Sequence, residues 1–187
     1  YRHLHECSAN SDFLFQHHKL KSKIQIKNKM TEQNISNHLT EALLASLEET
    51  LENAQGMYLD SGTSLFETLA TTSAEEASQP ISENCASIAA QVEHISYFME
   101  MLLKMVKGEQ PQVDWSVIWQ TVEKVSPEEW QASQQNLRET YDRIHELVKS
   151  EPWEHKGAVR GAMGLIMHNA YHLGEIRQAL CIIKKRT

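Results

Sequence analysis

Apolar residues recurring at three- and four-residue steps, with no sustained alternation of apolar and polar positions, most narrow what this chain can fold into. Leu39, Leu43, Leu44, Leu47 and Leu51 form one such stripe and predict an amphipathic helix over about 37–58, with its acids on the far side. From about 82 to 107, Ile88, Ile95, Phe98, Met99, Leu102, Met105 and Val106 cover a wide face, while Glu93, Glu100, Lys104 and Lys107 share a narrow one. This second helix is expected to be largely buried. Ser126-Pro127-Glu128-Glu129 has the composition of a capping box with proline at the first helical position. It starts a third helix along Trp130, Leu137, Tyr141, Ile144 and Val148, which Pro152 ends. A fourth runs from about Gly157 to Lys184.

Between these lie two connections. Residues 60–79, rich in Ser, Thr and Ala, read as a loop with one helical turn around Leu65 to Leu69. Residues 108–125 form a longer link with some helix of its own, whose Trp115 and Trp119 are expected to pack rather than function. No hairpin turn and no repeat period is visible. The expected fold class is therefore all-α, a four-helix bundle with a long connection between its second and third helices.

Charge divides the chain. Residues 1–29 carry six basic against two acidic side chains, a net +4, so 30–187 holds −11 of a total of −7. The first 29 residues read as a basic extension outside the native domain, with Met30 as the natural initiator and 30–187 as the folded unit. An acidic domain repels phosphate backbones, which argues against nucleic acid as a partner. No apolar run approaches the roughly 18 residues of a membrane span, and none has the form of a secretory signal. Three widely spaced cysteines, Cys7, Cys85 and Cys181, form no CxxC pair, so a reducing cytoplasmic setting is expected.

Ten histidines carry more information. His168 and His172, four apart on a helix, bring their side chains onto one face, where two imidazoles can grip one metal ion. Gly157, Gly161, Gly164, Glu175 and Ala179 project within roughly 40° of His168, leaving that face nearly bare of bulk. His94 lies on the apolar side of the second helix, pointing inward with Ala90, Phe98, Met101 and Met105. Three imidazoles leave coordination positions open, the pattern of a catalytic rather than a structural centre. Helical phase turns Cys85 and Cys181 away from the histidines, so the ligand set is all nitrogen, suited to Zn, Ni, Fe or Cu. His38 and His145 read as solvated surface.

His94 within Gln91-Val92-Glu93-His94-Ile95, and the string His168-Asn169-Ala170-Tyr171-His172-Leu173-Gly174-Glu175-Ile176, resemble the DinB/YfiT-like superfamily over about residues 37–184. That resemblance implies a four-helix bundle, often dimeric, that binds a divalent metal through His94, His168 and His172. It also implies a small-molecule substrate: members with known activity transfer bacillithiol, mycothiol or glutathione to electrophiles or isomerise such adducts, and others are described as metal-dependent hydrolases. The family commonly has Gln where this chain has Glu175, which leaves a carboxylate near the metal as the candidate catalytic residue, able to orient an imidazole or accept a proton. Its alternative is a surface carboxylate paired with Arg177 or Lys184. The expected function is thiol transfer on a bound metal; the alternatives are hydrolysis at the same site and a non-catalytic, metal-stabilised interaction bundle.

Overall fold

Between Ser8 and Leu51 the chain contains neither glycine nor proline, so nothing in the backbone interrupts a helix, and α1 runs over Ser8–Leu51. The computed structural model describes residues 8–185 except 84, 115, 117, 120, 121, 123 and 155, with side chains from residue 29 onward. Trp115, Cys7 and the charges of 1–28 therefore lie outside the described residues. After α1 come α2 (Leu65–Leu69), α3 (Ala74–Ala77), α4 (Ile88–Val106), α5 (Pro127–Ser150) and α6 (Lys156–Lys184). Among the described residues there is no strand, and the protein is all-α. No described helix is long and apolar enough to cross a membrane.

Contacts group the chain into residues 1–39 and 40–187, a division that falls inside α1. In the first unit the described side chains are mostly exposed, among them Met30 and Ile35, and Gln33 donates to Asn37 one turn on at 3.0 Å. In the second, part of the leucine stripe is buried: Leu43, Leu47 and Leu51 join Ile88, Ile95 and Met99 of α4, Leu137 and Ile144 of α5, and Leu165, Leu173 and Ile176 of α6 in the core, while Leu44 is half-buried. Burying each such side chain contributes about 1.5–3 kcal/mol relative to leaving it in water.

Helix α1 begins well before the expected residue 37 and stops at Leu51 instead of continuing to 58. Its end has a local cause. Glu49, 1 % exposed, accepts the backbone N–H groups of Met57, Tyr58 and Leu59 on one carboxylate oxygen, at 3.0–3.2 Å, and that of Gln55 on the other. Burial pushes the Glu49 carboxyl up, but the four N–H donors together outweigh it and hold the group below its ordinary range. The donors of 55–59 are thus taken by a side chain, and Gly56 at φ 87° turns the chain.

The third helix starts where the sequence places it. Glu129 N–H donates to Ser126 Oγ at 3.2 Å and Ser126 N–H to the Glu129 carboxylate at 2.7 Å, with Pro127 at the first turn. Glu151, ahead of Pro152, is already extended. Two further capping boxes, Ser64 with Glu67 and Ser73 with Glu76, start α2 and α3, so the 60–79 segment holds two short helices instead of one. The polar stripe of α4 is not simply solvated: Ser133 of α5 donates to Glu93, and Arg143 of α5 pairs with Glu100 at 2.6 Å. His145 likewise is not simply solvated. Its side chain is 25 % exposed and its Nε2 lies 2.9 Å from Glu48 of α1.

Candidate metal centre

Helix α4 packs against α6, and this contact brings His94 to the pair on α6. The ring centroids lie 5.2 Å apart for His94 and His168, 4.9 Å for His94 and His172, and 4.6 Å for His168 and His172. One nitrogen from each ring falls within 4.8 Å of the other two, close enough to hold a single metal ion. All three expected ligands are thus brought together, and Cys181 is exposed on α6 and outside the group.

The rings are held from several sides. Phe98, one turn after His94, stacks on His168 with centroids 3.8 Å apart and planes at 20°. His172 Nδ1 is flanked by the Glu175 carboxylate at 3.1 Å and by Gln91 Oε1 at 3.3 Å, two acceptors that place the ring proton on Nδ1 and leave Nε2 for an ion. Tyr171 donates to the other Glu175 oxygen at 2.6 Å, and this hydrogen bond raises the phenol above its ordinary range. Glu175 is therefore joined to a candidate ligand, and Lys184 lies 3.9 Å from Glu76.

Electrostatics favour neutral imidazoles. Burial lowers His168 to about 4, helped by the neighbouring His172 and His94, and burial with His94 lowers His172 to about 4. Burial also lowers His94, against the pull of Glu175. Neutral rings are the form that ligates. His168 Nε2 is buried with no hydrogen-bond partner among the described residues, a cost that a bound ion would remove. A ring nitrogen without a partner and an all-imidazole set fit a divalent transition metal.

His94 and His172 open onto a cleft of about 1110 Å³. Three features of it escaped the sequence reading. Trp119 packs, as expected, but it does so on His94, with ring centroids 4.4 Å apart. Gln91 was legible in principle, standing three residues before His94 on the same helix face. Cys85 lines this cleft, contrary to the expectation that it faces away. The helical phase does not apply to it, because α4 begins only at Ile88 under a Ser87 cap.

The glycines of α6 also act elsewhere. Gly157 and Gly161 border a separate apolar cavity of about 530 Å³ with Leu102 and Leu165, and only Gly174 borders the histidine cleft. A Cβ added at any of them meets nothing within 4 Å, so they do not mediate tight helix packing.

No protein-family model, curated protein or solved structure matches the chain.

Replacing Glu175 with Gln keeps the shape but removes the charge that faces His172 Nδ1. Zinc affinity, measured by competition with a chromogenic chelator, is expected to fall about 10- to 100-fold. Tyr171→Phe, which leaves the carboxylate in place, is expected to change it by less.

Proposed function

We propose that this chain is a DinB-like protein in which α1, α4, α5 and α6 form a four-helix bundle around a divalent-metal centre. His94, His168 and His172 hold the ion. The proposed activity is transfer of a low-molecular-weight thiol to an electrophile. One observation carries the reading: three imidazoles from two helices converge beside a cleft, one of them with a buried ring nitrogen lacking a partner. When bound, a Zn, Ni or Fe ion supplies Lewis acidity that lowers the pKa of a thiol or water. Glu175 and Gln91 orient His172, Phe98 fixes the plane of His168, and the hydrogen-bonded Tyr171–Glu175 pair stands at the cleft to hold or pass on a proton. A homodimer in the cytoplasm belongs to the same reading.

Hydrolysis at the same centre is the second reading, and a specific observation favours it. The cleft presents the carboxylates of Glu83 and Glu175, which disfavour thiols that are themselves carboxylates, glutathione among them. A screen of activated esters, amides and alkyl halides, run on metal-loaded protein with and without added thiol, separates the two. Turnover that requires thiol supports transfer, and thiol-independent turnover supports hydrolysis. No turnover under either condition, together with a large fall in melting temperature on removing the metal, would establish a structural ion instead.

A further inference from the structure

The cleft beside the histidines has a one-sided charge. Glu83, from the loop before α4, and Glu175 of α6 both line it, and among its described lining residues there is neither lysine nor arginine. The remaining polar groups are neutral, Gln91 and Gln178 among them. Two aromatic rings complete the wall. Trp119 rests on His94, 39 % exposed, and Tyr171 is 62 % exposed. Indole and phenol faces carry negative quadrupole potential, so these rings and the two carboxylates attract the same kind of group.

We propose that the cleft selects an organic cation, an alkyl- or quaternary ammonium group held against Trp119 and Tyr171 with Glu83 as its counter-ion. The substrate then carries its positive charge away from the reacting end, which points toward the histidines. This assignment rests on the metal-centre reading for the position of that reacting end, but the ammonium subsite itself is made of residues other than the ligands. The rings and carboxylates discriminate by charge, because an anion in this subsite would meet two carboxylates and neither lysine nor arginine among the described lining residues.

The test is calorimetric titration of the full chain, zinc-supplemented and chelator-treated, with three probes of similar bulk: tetramethylammonium, neutral neopentyl alcohol and methanesulfonate. Metal content is measured on the same samples. Tetramethylammonium is expected to bind at least tenfold more tightly than either other probe. Its affinity should weaken about tenfold in Trp119→Ala and about threefold in Glu83→Gln, and should fall as salt is raised. Both substitutions fall at solvent-exposed positions, and Trp119→Phe, which keeps an aromatic face, should restore most of the affinity. Methanesulfonate binding the chelator-treated protein as tightly as the cation does, or a cation affinity untouched by both substitutions, would overturn the proposal. A protein that holds zinc yet ignores tetramethylammonium defeats this inference alone. One that binds the cation as described yet holds no metal defeats only the metal reading.

Discussion

His168→Ala is expected to abolish metal retention, taking the purified protein from close to one divalent ion per chain to essentially none by elemental analysis. The imidazole it removes carries the buried Nε2 without a partner and lies between Phe98 and the other two histidines. Two remaining nitrogens are too few to compete with water for an ion at the affinities of a three-imidazole site. His94→Ala and His172→Ala should behave alike, whereas His38→Ala, at an exposed position of α1, should leave the stoichiometry unchanged. Metal content that survives all three ligand substitutions would remove the basis of the proposed centre. The substitutions need not unfold the chain, since the core leucines and isoleucines of the four long helices are untouched.

Acid is expected to destabilise the metal-free protein from about pH 6.5 downward, starting above the range in which its carboxylates titrate. His168 and His172 are held at about 4 in the fold against an ordinary value of 6.5, so between these values the unfolded chain binds protons that the folded one refuses. Stability therefore stays at its full value above pH 6.5 and is lost progressively as pH falls toward 4. For His172, 5 % exposed, the loss on going from neutral pH to about 4.5 is on the order of 2–3 kcal/mol. His168 adds a smaller amount, being less deeply buried. Urea unfolding at neutral pH and at pH about 4.5 measures this as a lower midpoint at the acid end, and the double variant His168→Ala/His172→Ala should flatten the profile. The Glu49 knot does not confuse the reading. Its lowered carboxyl contributes stability that is complete well above its ordinary value of 4.5 and is lost from there downward as pH falls through the folded value, so most of the window from 6.5 lies above it. A midpoint independent of pH over this window would show that the rings are not buried as neutral groups.

Much of this protein was legible along the chain. Periodicity located the helices that became α5 and α6 to within a few residues, and the body and end of α4, whose start it set six residues early, because an amphipathic stripe reports the solvent boundary directly. Ser126, Pro127 and Glu129 fixed the start of α5 because a capping box is a local hydrogen-bond pattern needing no tertiary partner. Errors arose where a long-range partner intervened. Glu49 ends α1 by drawing in donors up to ten residues ahead, and Glu48 gives the half-buried His145 a partner. Cys85 was misplaced because a helical phase was carried past a helix start.

The sequence alone determined that the chain is helical and that His168 and His172 share a face, since spacing of four on a helix is enough for that. It also determined that His94 points to the apolar side of its own helix. Only the tertiary structure decided that His94 meets the other two, that Gln91 and Glu175 close on His172, and that Trp119 stacks on His94. Those contacts depend on the packing of α4 against α6 and on the position of Trp119. They join residues up to 81 positions apart, and no local periodicity encodes such a meeting.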